Sequence, residues 1–160
     1  MTNKAKSEIQ KKIVDSLDLK PHGRLLLAPR VGKSKLIIDI IKKNNPKSIL
    51  WVTPSAQLAD KDIPEEFITW KAKKFVSRLT TVTWMSLNKI KGHYEMIVLD
   101  EEQFATENNT SNLVSGDLSS DYTVSMTGTK TKHETKKDLY KSLNLPVLYD
   151  LTINEAVAVG

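Results

Sequence analysis

The sequence predicts an α/β fold, a central, mostly parallel β-sheet flanked by helices, and three observations predict it. Short aliphatic runs alternate with amphipathic stretches along the chain, the pattern of strands joined by crossover helices. One such run leads into Gly32-Lys33-Ser34 and then into an amphipathic helix, and another ends in adjacent carboxylates, Asp100 and Glu101. In open α/β sheets ligands gather at the carboxyl ends of strands. The second and third observations therefore also mark where the chemistry belongs.

Taken in order, Ser7 to Leu17 reads as a helix with Ile9, Ile13 and Leu17 on one face. Pro21, His22 and Gly23 end it. Arg24 to Ala28 is a short buried strand, and Lys33 to Lys43 a helix that turns Leu36, Ile37, Ile40 and Ile41 inward. Ser48 to Thr53 is the second strand. Pro64 starts a helix running towards Phe75, because a missing N–H costs nothing in a first turn. Leu79 to Trp84 is the third strand, followed by a short helix near Leu87. Tyr94 to Leu99 is the fourth, and it delivers Asp100. Residues 105–120 are the least regular stretch, a loop with one helical turn at most. Tyr122 to Met126, a helix over Glu134 to Leu143, and Pro146 to Tyr149 complete the alternation.

The chain has 160 residues, enough to bury a core without a metal or disulfide staple. It has no cysteine, which excludes a disulfide framework, thiolate metal sites and a Cys nucleophile. The three histidines, His22, His93 and His133, show no metal-ligand spacing. The charged N-terminus is not a signal peptide, and no apolar run approaches the ~18 residues that span a bilayer. A cytoplasmic, membrane-free protein is expected, and the Lys- and Asn-rich usage suits a bacterial or phage-infected cell. Net charge is +5, which favours polyanions but is shared by many lysine-rich proteins without such a partner. Lys71, Lys73 and Lys74, and Lys130, Lys132, Lys136 and Lys137, form clusters that suit solvated faces better than a phosphate path. Asn108 and Asn109 lie in glycosylation sequons that a cytosolic protein would not use.

Counting from Leu27, four residues precede Gly32-Lys33-Ser34, a P-loop in every respect except its first glycine. After a buried strand such a loop must turn tightly, aim backbone N–H groups at phosphate, and enter a helix whose N-terminus is partly positive. Pro29, Arg30, Val31 and Gly32 would form the turn around the phosphates. Lys33 would reach the β- and γ-oxygens, and the Ser34 hydroxyl would ligate Mg²⁺. At the other strand end Asp100 would hold Mg²⁺, and Glu101 would orient and deprotonate the attacking water. A strand ending in Asp-Glu is equally often a helix cap, but the P-loop changes the weighting. The spacing between Lys33 and Asp100 leaves room for two intervening strands beside the P-loop strand.

The series of motifs resembles the first motor domain of superfamily 2 helicases over essentially the whole chain. Leu27 to Ser34 resembles motif I, Thr53-Pro54-Ser55 motif Ia, and Asp100-Glu101-Glu102-Gln103 the DEAD/DEAH box. Ser125 to Thr129 resembles motif III in its Thr-Gly-Thr wording, as in Snf2-like branches, and Val82 to Leu87 the strand that precedes the box in many members. The resemblance implies a RecA-like fold, ATP and Mg²⁺ as cofactors, and single- or double-stranded nucleic acid as partner, DNA ahead of RNA. It implies backbone contacts from Thr53, Pro54, Ser55, Thr83 and Trp84, though Trp84 reads equally well as core. It also implies coupling through Gln103, Thr127, Gly128 and Thr129, and adenine reading by Gln10.

Departures from the pattern bear on activity and subfamily. Leu27 stands at the first glycine, Arg30 lies inside the loop, Gln103 replaces the usual His or Asp, and Lys130 follows Thr129 where Pro is common. The expected organisation is a RecA-like domain over residues 1–150. Residues 151–160 begin a linker to a second RecA-like domain, which is absent together with its arginine finger, so weak turnover is expected of this chain. Two rivals remain in play. A small-molecule P-loop kinase would need an Arg-rich lid, and there are three arginines, Arg24, Arg30 and Arg78. A non-catalytic nucleotide- or nucleic-acid-binding module would account for the altered motif I.

Overall fold

The computed structural model describes residues 2–28, 31–128 and 134–151, with side chains of 134–138 outside that description. Pro29, Arg30, Thr129, the 130–137 lysine cluster, His133 and residues 152–160 therefore lie outside the described residues.

Helix α1 spans Asn3–Ser16, starting four residues earlier than the periodicity indicates. Its start is set by Thr2, whose hydroxyl accepts the Ala5 N–H at 3.1 Å. Strand β1 (Gly23–Leu27) follows, then α2 (Lys33–Asn44) and β2 (Ile49–Thr53). Asn45 ends α2 in the left-handed conformation with its N–H bonded to Ile41 O.

Pro64 lies in the first turn of its helix, as expected, at the second position. A π-helical turn over Leu58–Asp62 precedes α3 (Ile63–Thr69), and Pro64 sits just beyond it. A proline within a helix lacks one hydrogen bond and crowds the carbonyl four residues back. The wide turn, in which Ile63 N–H reaches Leu58 O, relieves that crowding. The helix stops at Thr69, and Lys73–Arg78 forms a separate 3₁₀ segment.

Strand β3 is Leu79–Thr83, and the helix expected near Leu87 is a 3₁₀ segment, Trp84–Lys89. Strand β4 runs Gly92–Asp100. Within the irregular stretch one short helix forms, α4 (Ser111–Ser115), and its last residues already belong to β5 (Leu118–Thr127). Helix α5 (Glu134–Leu143) and β6 (Val147–Leu151) complete the described elements.

The six described strands pair in parallel throughout, in the order β3-β2-β4-β5-β1-β6. The two strands that the spacing between Lys33 and Asp100 leaves room for are β2 and β3, which lie on the far side of β4, while the neighbours of β1 are β5 and β6. Strand β5 instead separates β1 from β4.

Alternation along each strand sends side chains to two cores. Trp51, Met96 and Val98 face α1, α2 and α3, while Leu50, Val52, Ile97 and Leu99 face Trp84, Leu113, Leu139 and Tyr140. His22 ties the second layer to the sheet. Its Nδ1 accepts the Thr123 N–H at 2.9 Å, which leaves Nε2 as the donor to Leu143 O at 2.7 Å. Among the described residues no helix is long and apolar enough to cross a membrane.

Candidate nucleotide site at the carboxyl edge of the sheet

Because β5 lies between β4 and β1, its end brings Thr127 and Gly128 between the P-loop and the box. The register pairs Leu26 with Thr127 and Asp100 with Met126. A cavity of about 540 Å³ opens at this edge, lined by Gly32, Lys33, Ser34, Asp100 and Glu101, with Leu58, Glu66 and Trp70 on the α3 side. The sheet thus collects two sets of residues that are far apart in sequence.

On the P-loop side, Leu27 is buried inside β1 and Val31 turns its side chain into the core. Gly32 caps α2 with φ +77°, and a Cβ there would stand 2.5 Å from Gln10 Nε2. Glycine is required both for the left-handed turn and for that close approach. No side chain caps α2, and its first turn carries no acidic residue. The leading N–H groups and the helix dipole therefore favour an anion in front of Lys33 and Ser34. Gln10 is buried, and its amide donates to Val31 O at 2.7 Å and Gly32 O at 3.3 Å. Its position braces the loop from behind.

On the box side, Asp100 ends β4 and is 8% exposed. Burial pushes its carboxyl up to about 6, and the neighbouring Glu101 charge adds to this; the Thr53 hydroxyl and Lys33 oppose it. Thr53 Oγ1 donates to Asp100 Oδ2 at 3.2 Å, and the Trp84 indole N–H donates to Asp100 O at 2.9 Å. The buried Trp51 indole lies on the Asp100 side of the sheet and also favours the ionised carboxylate. Glu101 adopts φ +56°, left-handed for a residue with a Cβ, and its N–H bonds to Met126 O at 3.0 Å. Such a conformation costs on the order of 1–2 kcal/mol and persists where the surroundings enforce it.

The strained turn aims Glu101 back across the end of β5. Lys33 Nζ donates to Glu101 Oε1 at 2.8 Å, and Gln103 Nε2 donates to Glu101 Oε2 at 2.5 Å. Thr127 Oγ1 in turn donates to Gln103 Oε1 at 2.7 Å. A Cβ on Gly128 would lie 3.1 Å from Leu27 O and 3.2 Å from Lys33 Nζ. Lys33, Glu101, Gln103 and Thr127 thus form one continuous polar chain, with Gly128 packed close beside Lys33. Next to it Glu102, fully buried, accepts hydrogen bonds from the Ser125 hydroxyl and from Tyr140 OH, the latter at 2.6 Å. The Arg24 guanidinium lies 4.0 Å from the Tyr140 ring centroid.

Two expected nucleic-acid contacts are corrected. Thr53 and Trp84 are buried, at 0% and 2% exposure, and both bond to Asp100 instead of facing solvent. The alternation of β2 turns Thr53 inward, and the 3₁₀ turn after β3 folds Trp84 onto the second core. Pro54 is part-exposed and Ser55 exposed, with the Ser55 hydroxyl accepting the Leu58 N–H at 3.3 Å. Thr83 pairs in register with Thr53 and donates to Ser86 Oγ at 3.3 Å. Sequence reasoning missed Glu102 with its partner Tyr140, and also Glu66, Trp70 and Lys35 at the cavity wall. Glu66, Trp70 and Tyr140 carry no spacing signal, since they reach the site only through tertiary packing, whereas Glu102 and Lys35 stand within or beside the motifs but were given no role.

A metal is tested by the donors present. Among the described residues no group of three or more His, Cys, Asp or Glu side chains could hold an ion. The carboxylates of Asp100, Glu101 and Glu66 and the Ser34 hydroxyl line the cavity. Glu101 is paired with Lys33 and Glu66 with the Trp70 indole, which leaves Asp100 and Ser34 as the sparse donor set that suits Mg²⁺ completed by substrate phosphates and water.

No protein-family model and no curated protein sequence matches the chain. Solved structures do. A structure of the UvsW helicase from bacteriophage T4 aligns with TM-score 0.68 and 16% identity over 89% of this chain and 58% of that one. A second T4 UvsW structure gives TM-score 0.72 and 17% identity over 89% of this chain and 34% of that one. A nuclease-deletion mutant of the type ISP restriction-modification enzyme LlaGI, in complex with a DNA substrate mimic, gives 0.61 and 14% over 94% of this chain and 20% of that one. The chain therefore spans less than two thirds of each of these structures. Its described strands form an all-parallel six-stranded sheet flanked by helices, a RecA-like α/β fold similar to that of these helicase structures.

Proposed function

We propose that this chain is an ATP-binding motor domain of a superfamily 2 helicase or translocase. ATP hydrolysis would drive movement on DNA or RNA, DNA ahead of RNA, once the chain is joined to a second RecA-like domain. The observation that carries the reading is the convergence of Lys33, Ser34, Asp100 and Glu101 on one cavity in front of an uncapped helix N-terminus. A chain that had lost nucleotide chemistry would have no reason to keep all four.

In this reading the α2 N-terminus and Lys33 bind the phosphates, with Pro29, Arg30, Val31 and Gly32 forming the loop around them. Ser34 and Asp100 hold Mg²⁺, which when bound neutralises phosphate charge and aligns the oxygens. Glu101 orients the attacking water and accepts its proton. Phosphate competes with Glu101 for Lys33, so binding breaks the 2.8 Å ion pair and leaves the carboxylate to the water. Gln103, Thr127, Gly128 and Thr129 would carry the change to the nucleic-acid side, where Pro54, Ser55 and Thr83 face a backbone. Thr53 and Trp84 serve that side through their bonds to Asp100. An arginine finger from a second domain is worth ~10³–10⁵ in rate, so the chain alone should bind Mg²⁺-ATP and hydrolyse it slowly.

Calorimetry with Mg²⁺-ATP, with and without single-stranded DNA, tests this. Binding by the wild type and its loss in Lys33→Ala are expected. Equal binding by both proteins would refute the assignment. A second reading, a non-catalytic nucleotide-binding module, is favoured by Leu27, which is held inside β1 where the loop would begin with glycine. Binding with no hydrolysis even when a second domain is supplied would select it.

A further inference from the structure

A second cavity, about 430 Å³, adjoins the phosphate cavity. Gly32, Lys35 and Trp70 line both, and Asn3, Ser7 and Gln10 of α1 line the second. A nucleoside triphosphate anchored at Lys33 and Ser34 carries a sugar and a base beyond its phosphates, and the second cavity shares Gly32, Lys35 and Trp70 with the first. Trp70 thus stands where the two cavities meet. Its indole N–H donates to the Glu66 carboxylate at 2.6 Å, its main-chain N–H bonds to Glu66 O, and its carbonyl accepts from Lys42 Nζ. The Lys35 ammonium lies 5.4 Å from the ring centroid and is paired with Asp39. The ring is therefore fixed, yet 36% of the residue is exposed, while Trp51 and Trp84 are buried. Gln10 spends its amide N–H groups on Val31 O and Gly32 O, so it cannot both donate to and accept from a base.

We propose that Trp70, at the end of α3, is the stacking wall for the nucleobase, and that Asn3 and Ser7 take over base-edge contacts from Gln10. The proposal rests on the nucleotide-binding reading above. Stacking tolerates any base, so discrimination between ATP and GTP is modest.

The test compares Mg²⁺-ATP with inorganic tripolyphosphate on the full chain, as wild type, Trp70→Ala and Trp70→Phe, with circular dichroism confirming that each is folded. Trp70→Ala should bind ATP roughly 5- to 100-fold more weakly, the span of base-aromatic stacking, and tripolyphosphate as the wild type does. Trp70→Phe should restore most of the ATP affinity. ATP should also quench tryptophan fluorescence in the wild type and lose most of that quench in Trp70→Phe. Unchanged ATP affinity in Trp70→Ala, or equal weakening of both ligands, would overturn the stacking role while leaving the phosphate site standing. Binding of neither ligand by the wild type would overturn the nucleotide reading itself.

Discussion

Replacing Asp100 by Asn should make this protein more stable and at the same time disable it. The Asp100 carboxyl is buried at the end of β4, and desolvation with the adjacent Glu101 charge lifts it from 3.8 to about 6. Between those values the folded protein holds a proton that the unfolded chain has released. Stability contributed at this position therefore falls as pH rises through that window and levels off above it. At neutral pH, ionising Asp100 in the fold costs on the order of 3 kcal/mol relative to the unfolded chain. Asparagine has nearly the same shape, still offers an oxygen to Thr53 Oγ1, and cannot ionise. Asp100→Asn should therefore match the wild type near pH 4 and exceed it at neutral pH by roughly 2–3 kcal/mol. For a chain of this size that is a rise of about 5–10 °C in Tm. Urea denaturation followed by circular dichroism over a pH series measures it, because subtracting variant from wild type cancels the other titrating groups. Mg²⁺-dependent nucleotide binding should fall in the same variant, a trade of stability for function common at such sites. Equal stability at neutral pH, or an unchanged difference across the series, would refute the reasoning.

Further outcomes follow from the same geometry. Mg²⁺-ATP affinity should weaken as pH falls through about 6, because Asp100 must be ionised to hold the ion; calorimetry on either side of that pH reads it. Gly128→Ala places a methyl 3.1 Å from Leu27 O and 3.2 Å from Lys33 Nζ. It should displace Lys33 and weaken nucleotide binding about tenfold, while global stability drops by only about 1 kcal/mol. Glu102→Ala would strand the buried hydroxyls of Ser125 and Tyr140. A loss of about 2–4 kcal/mol in urea denaturation is expected, against about 1 kcal/mol for Tyr140→Phe; equal values for the two variants would mean that the carboxylate does not organise the cluster.

Most of the element order was legible because aliphatic runs and turn residues are local signals. The boundaries that moved did so for local reasons of another kind. Thr2 extends α1 through its cap, and α3, with Pro64 in its first turn, is preceded by a π turn and stops at Thr69. The residue types of Gly32, Lys33, Ser34, Asp100 and Glu101 pointed to a phosphate and metal chemistry only in combination, because a strand ending in carboxylates is by itself equally often a helix cap. What the sequence could not decide is which strand lies beside which. That is set by burial on both faces of the sheet, a property of the whole chain. Placing β5 between β1 and β4 is what draws Gln103, Thr127 and Gly128 into the line from Lys33 to Glu101. The same packing turns Thr53 and Trp84 away from solvent onto Asp100 and sets Trp70 at the mouth of the site. The residue types set the chemistry proposed for the site; the order of the strands, fixed by two opposed cores, decided which side chains stand around it.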